Sequence, residues 1–281
     1  MIRQFVADVV AEKISMKAAK QAAKVNAKAA KHLESLDRLA AHLDALDVWT
    51  RAEPGSRKPR FTRDDIAAAA IRIADAEGLE AVSMRRIAAD LDSGTMTLYH
   101  YVRTKDELMT LVTDAVMGEV ALPAGFVLPA DWRQAIILIA TRSRDALLRH
   151  PWMLDIHDDP PIGPNSVRHF DQSYAAVASL PISLAQRMEI ILAVDEFVFG
   201  HCMHERNNAR GDDDSYGSEI LTYVADLIAT GDYPQLSAMV DAHGLESVWD
   251  QMETAMSDPG RFDRTLARLL DGFEREFDRD A

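Results

Sequence analysis

Apolar residues recur at spacings of three and four along nearly the whole of this sequence. Alternating Val/Ile/Thr/Tyr runs bounded by turn residues are not found in it. A period near 3.6 gives each segment one apolar face and offers no sheet to pack it on, so the pattern predicts an all-α fold of helices on helices. No segment repeats at a fixed period, which excludes a solenoid. A chain of 281 residues is long enough for one large domain or two smaller ones. The longest wholly apolar runs, Ala135–Ala140 and Ile190–Val194, fall far short of the roughly 18–20 residues that span a bilayer. The opening residues are broken by Asp8, Glu12 and Lys13 and form no signal-peptide core. One cysteine, Cys202, leaves no intramolecular disulfide and no four-thiolate zinc site. The expectation is a cytoplasmic protein with no membrane partner.

The net charge of −14 argues against nucleic acid until its distribution is followed. Residues 1–60 carry twelve Lys/Arg against seven Asp/Glu, whereas residues 111–281 carry thirteen against twenty-nine. A basic front and an acidic body mean that the N-terminal third alone is suited to an anionic partner.

Four stretches follow from composition. Residues 1–50 read as a helical extension without Gly or Pro, in which Lys13, Lys17, Lys20, Lys24, Lys28 and Lys31 fall on one stripe. Leu33, Leu36, Leu39, Leu43 and Leu46 continue it on near-heptad spacing. The lysine stripe is either a solvated face or a second contact to a DNA backbone. Residues 51–60, with Pro54, Gly55 and Pro59 among four basic residues, form a linker. Residues 61–119 form a compact unit, and 120–281 a larger helical body punctuated by Pro151, Pro160, Pro161, Pro164 and Pro181.

The compact unit contains three short helices with marked ends. Thr62 and Asp65 make a near capping box that opens a helix through Ala76, with Gly78 past its end. Ser83 caps a second helix, Met84–Leu91, and Asp92-Ser93-Gly94 turns into a third, Thr95 to about Tyr101. Two short helices joined by a tight turn predict a helix-turn-helix, whose second helix enters the major groove. With Leu98 facing inward, Thr95, Met96, Thr97, Tyr99, His100 and Tyr101 are left for DNA, and Lys105 for a phosphate. The cluster lacks the carboxylate and nucleophile that catalysis needs, so no enzyme is expected.

Three motifs carry a family resemblance: Ala-Glu-Gly-Leu at 76–79, Ser-Met-Arg-Arg-Ile-Ala at 83–88 and Thr-Leu-Tyr-His-Tyr-Val-Arg-Thr-Lys-Asp-Glu-Leu at 97–108. Together with Phe61-Thr62-Arg63 this segment resembles the tetracycline-repressor (TetR/AcrR) family of bacterial regulators, closely over about 50 residues. The resemblance implies a homodimeric all-α repressor that binds double-stranded operator DNA and is released by a small-molecule effector. Its DNA contacts carry over to Arg63, Ser83, Met84, Arg85, Thr95, Met96, Thr97, Tyr99, His100, Tyr101 and Lys105. The chain departs from the family at Asp92-Ser93, where Gly and an aliphatic residue are common. Asp tolerates the left-handed conformation, but Ser93 loses an apolar peg.

In the body, Trp132, Ile136, Trp152, Met153, Phe170, Tyr174, Met188, Ile191, Phe199 and Met203 are candidate walls of an effector pocket. Cores and pockets use the same residue types. Asp195 stands in an apolar stretch, and His157 lies near Asp155; both join the ligand candidates. His201, Cys202, His204 and Glu205 form a metal-like cluster, but neutral hydrogen-bonded histidines are the expected outcome, with no metal and no cofactor. Magnesium accompanies the drug in the tetracycline repressor itself, yet that ligand set is not matched here in type. Leu184–Arg206 and Arg261–Arg279 suit a four-helix dimer interface or an intramolecular core, and the resemblance favours the dimer. The alternative function is a non-regulatory architectural DNA-binding protein that uses the basic N-terminal helix.

Overall fold

The structure, a computed structural model, describes residues 40, 43, 46–54, 61–156, 162–210 and 214–280. The stripe Lys13–Lys31, the residues Leu33, Leu36 and Leu39, and His157 lie outside the described residues. Within them the regular elements are helices, and no strand occurs.

A single turn, α1 (Asp47–Thr50), precedes the N-terminal helical unit. That unit consists of α2 (Arg63–Glu77), α3 (Met84–Asp90), α4 (Thr95–Leu98) and α5 (Lys105–Val120). The Thr62 capping box forms in full: its side chain accepts from the Asp65 amide, and Asp65 accepts from the Thr62 amide at 2.8 Å. Helix α2 stops at Gly78, whose φ of 87° few other residues adopt without strain. Asp92 does sit in the left-handed region, at φ 46°, and holds the turn between α3 and α4. Helix α4 ends at Leu98, three residues short of the expected Tyr101. His100 and Tyr101 bond instead to the carbonyls three residues back, a tighter turn that swings the Tyr101 ring inward.

The body runs through α6 (Trp132–Arg149), a 3-10 turn (Pro151–Asp155), α7 (Pro164–Val177), α8 (Leu184–Arg210), α9 (Asp214–Ala229), α10 (Pro234–His243), α11 (Leu245–Ser257) and α12 (Arg261–Asp280). Two apolar cores divide near residue 120. The first gathers Val48, Phe61, Ile66, Ile73, Ile87, Leu98, Val102, Leu108 and Val112, and also takes Ala146 and Trp152 from the body. The second joins Ile136, Leu154, Val177, Ile190, Val194, Val198, Phe262, Leu266 and Leu270. Phe262, Leu266 and Leu270 of the apolar stripe on α12 are therefore core within their own chain, while Leu269, Phe273 and Phe277 are partly buried against it. A repeat of three and four marks a buried face but cannot say which surface buries it.

Asp75 and Asp114 join the two parts. Asp75 on α2 accepts from the Trp152 indole at 2.7 Å and lies 2.8 Å from His150 Nδ1, while His150 Nε2 faces Glu119 of α5 at 3.3 Å. Asp114, 2% exposed on α5, accepts from the amides of Asn165 and Ser166 at 3.0 Å and so caps the start of α7. Gly163 precedes that cap because a Cβ there would collide with the Asp114 carboxyl. Arg142 reaches back from α6 to the carbonyls of Glu119, Val120 and Ala121, a cation placed at the negative end of α5.

Candidate nucleic-acid interface

Helix α4 is held by one fully buried residue, Leu98, and most of its neighbours from Thr95 to His100 point outward. Met96 is 75% exposed and Tyr99 43%, with Thr97 and His100 also exposed and Thr95 half-buried. Ser83 caps α3 by accepting from the Arg86 amide at 3.2 Å and remains exposed, so its hydroxyl proton is available to an acceptor. Arg85 and Lys105 project into solvent on either side. Arg86 is spent on Glu77 at 2.7 Å, and Arg72 on Asp90 at 2.6 Å, two bridges that fasten α3 to α2. Among the described residues the surface thus presents hydroxyls, an imidazole, an apolar side chain and the cations Arg85 and Lys105 along one short helix and its flanks. This mixture suits base edges, thymine methyls and phosphates together.

Three of the expected DNA contacts are placed otherwise. Tyr101 is 6% exposed and packs on the Phe61 ring, centroids 5.0 Å apart. Arg63 is 7% exposed; its guanidinium donates to the carbonyls of Tyr101 (3.2 Å) and Arg51 (2.8 Å). Burial, and then the neighbouring charge of Arg51, draw the Arg63 guanidinium below its ordinary range. Met84 is half-buried against the core of the unit. Arg63 and Tyr101 hold the 95–101 turn from behind and are closed off from solvent. The apolar spacing of so short a helix could not reveal this, because one turn has too few residues to define a face.

Behind that turn lies an ion pair that sequence reading missed. Arg51 binds Glu107 through both terminal nitrogens, at 3.0 and 2.9 Å, and Glu107 also accepts from the Arg103 amide at 2.7 Å. Burial raises the Glu107 carboxyl, but the hydrogen bonds of Arg51 and Arg103 outweigh it and hold the group below its usual range. Glu107 was in view within the Lys-Asp-Glu-Leu motif; nothing in the sequence paired it with Arg51.

The effector candidates separate into two groups. Trp152 and Ile191 are buried in the two cores, Trp152 as part of the joint to Asp75, so neither lines an open pocket. Ile136 is core as well. Phe170 on α7 is 51% exposed, and Tyr174 one turn on is half-buried, its hydroxyl 3.2 Å from Arg187 of α8. On α8, Met188, Asp195, Phe199 and Met203 fall along one face, to which Leu192, 59% exposed, must be added. Asp195 is solvent-accessible, yet desolvation by the surrounding protein pushes its carboxyl up to about 6. Burial likewise lowers the imidazole of His169 on α7.

Of the metal-like cluster, His201, Cys202 and Glu205 are taken up by packing and ion pairing, and His204 is exposed. His201 stacks near Phe197 and Phe262, with Glu205 3.5 Å away, and Glu205 is held by Arg144 at 3.0 Å. Cys202 is fully buried, and burial pushes its thiol up to about 12. Among the described residues no three metal-ligating side chains converge. Among them, too, no helix is long and apolar enough to cross a membrane.

Two families match the chain. "Bacterial regulatory proteins, tetR family" matches residues 66–112, and "Tetracyclin repressor-like, C-terminal domain" matches residues 127–277. The HTH-type transcriptional repressor DrrR1 of Streptomyces coeruleorubidus is 30% identical over 237 residues, 81% of this chain and 83% of the relative. An HTH-type transcriptional regulator of Saccharopolyspora erythraea is 34% identical over 199 residues, 70% of this chain and 83% of the relative. Among solved structures, the Streptomyces coelicolor TetR family protein ActR in complex with (S)-DNPA aligns with a TM-score of 0.57 at 25% identity. That alignment covers 77% of this chain and 98% of ActR.

Proposed function

The chain belongs to the tetR family of bacterial regulatory proteins, and from that premise we propose that it is a homodimeric repressor of a pseudo-palindromic operator, released by a small apolar or amphipathic effector. The observation that carries the reading is the surface of α4. Met96 is left in water beside Thr97, Tyr99 and His100 on a helix anchored by a single buried leucine. An apolar side chain in such company is suited to the mixed chemistry of a major groove. The contacts proposed are Ser83, Arg85, Thr95, Met96, Thr97, Tyr99, His100 and Lys105, with Met84 bordering them.

The effector reading rests on Phe170, Tyr174, Met188, Leu192, Asp195, Phe199 and Met203, an aromatic and apolar set on α7 and α8 with one carboxyl among it. ActR, similar in fold, has been solved in complex with (S)-DNPA, which supports ligand binding by this chain. A two-fold dimer offers two equivalent α4 helices, hence the palindrome. The experiment is a footprint on the DNA flanking the protein's own gene, followed by titration with small aromatic molecules. A protected inverted repeat that one of them releases supports the proposal. Protection without sequence preference supports an architectural role instead, and a single unrepeated half-site bound by a monomer rejects the dimer.

A further inference from the structure

Helix α4 is one turn long, and a single turn has no stability of its own. Its attitude on the unit is set by what grips its ends. The turn at Asp92 grips the first, and the Tyr101 carbonyl is the last acceptor of the second. Two guanidiniums converge on that carbonyl: Arg63 Nε at 3.2 Å and Arg51 Nη2 at 3.0 Å. Arg51 is braced in turn by Glu107, and its own carbonyl accepts from Arg63 Nη1 at 2.8 Å, closing a ring of bonds behind the recognition turn. The side chains of Arg51 and Glu107 are 15% and 5% exposed, so the pair is shielded from solvent and little screened. Val48, one turn earlier, is fully buried in the same core as Leu98 and Val102. Arg51 and Val48 both lie outside residues 66–112, the segment that matches the tetR family of bacterial regulatory proteins.

We propose that residues 46–54 form a strap that belongs to the DNA-reading unit, and that Arg51 is a positioning residue for sequence recognition. It acts by fixing the Tyr101 carbonyl, and with it the pitch of α4. The inference rests on the reading of α4 as the groove helix. Phosphate contacts from exposed cations tolerate a small tilt of α4, whereas base contacts do not, so loosening the strap falls on preference more than on general affinity.

The test uses the full chain with Arg51→Lys and Arg51→Met, the latter also paired with Glu107→Gln so that no carboxylate is left buried and unpaired. Affinity for operator and for random duplex is measured at a fixed interval below each variant's own melting temperature. Arg51→Lys keeps a charge against Glu107 but loses the two-pronged geometry, and keeps the unit folded. The expected result is an operator-to-random ratio reduced about tenfold in the methionine variants and severalfold in Arg51→Lys, with random-duplex affinity changed less than about threefold. An unchanged ratio in all three, whatever their melting temperatures, overturns the strap. Tyr99→Ala, measured alongside, separates the two readings: if it lowers the ratio and the Arg51 variants do not, the strap alone fails. If Tyr99→Ala has no effect either, the placement of α4 in the groove fails first.

Discussion

Lys105 and Tyr99 differ in what they offer DNA although they stand close in sequence. Lys105 is an exposed charge just beyond the recognition turn, so Lys105→Ala should weaken operator and random duplex alike and reduce the salt slope by about one counterion. Tyr99, half in water on the outer face, should act through its ring and hydroxyl, and Tyr99→Ala should weaken operator binding with the slope retained. Operator titrations at several salt concentrations decide both, and two unaffected variants would remove α4 from the groove. Asp195 carries a different prediction. Its carboxyl titrates at about 6 in the folded chain, above the value near 3.9 of an unfolded one. A folded-state value raised in this way means that folding favours the proton, so stability declines as pH rises from about 4 to about 6 and stays reduced above. Asp195→Asn should therefore melt higher than the parent at pH 8 and equally at pH 4. Solvent access to the group limits the gain to the order of 1 kcal/mol. Melting curves that run parallel from pH 4 to pH 8 would rule this out.

At the scale of elements, what was legible in the sequence is what depends on neighbours along the chain. Thr62 with Asp65, Ser83, Asp92 and Gly78 marked the ends of α2 and α3 to within a residue or so, because caps and left-handed positions are local chemistry. The facing of side chains was less legible. Tyr101 was expected in the groove and is core, and Trp152 was expected in a pocket and braces the joint to α2. In each case the decisive partner, Phe61 or Asp75, is 40 to 77 residues away. The α12 stripe was read as a helix, and rightly, but its buried half serves its own body. Asp114 escaped notice for the same reason: its amide partners on α7 belong to a helix that nothing local ties to α5. Its role can be tested. Asp114→Ala removes three close acceptor contacts at the buried start of α7 and should destabilise the chain by about 3 kcal/mol. Gly163→Ala drives a methyl group into the same carboxyl and should lose about 2 kcal/mol. The double variant should lose less than the sum of the two, since the two closest contacts, with Cγ and Oδ1, disappear with the carboxyl while the Cβ of residue 114 still lies 2.7 Å from the new methyl carbon. Additive losses in a denaturant series would mean that Gly163 is there for its backbone and not for Asp114.

For the whole molecule, the distribution of charge decides how it can approach DNA. Residues 111–281 carry sixteen more acidic than basic groups, so the body is repelled by phosphates and only the front third is drawn to them. Within that third, residues 1–45 hold eight Lys/Arg and five Asp/Glu, the six lysines of the stripe among them. A chain cut to begin at residue 46 keeps the strap around Arg51 and loses the stripe, so it separates charge from positioning. If the stripe lies along phosphates, operator and random duplex should both bind more weakly by similar factors, because backbone contacts carry no sequence information. The salt dependence should become shallower by nearly one unit for each lysine withdrawn from a phosphate, and twice that for a dimer. Should the leucines at 33–43 dock on the body or on a second copy, the truncated chain melts lower with its salt slope intact. The two halves of the extension are chemically distinct, and we expect both effects: a lower melting temperature from the leucine half and a shallower slope from the lysine half. Equal melting temperatures together with equal slopes would reduce the stripe to a solvated face, leaving DNA recognition to the strap and the four helices it holds.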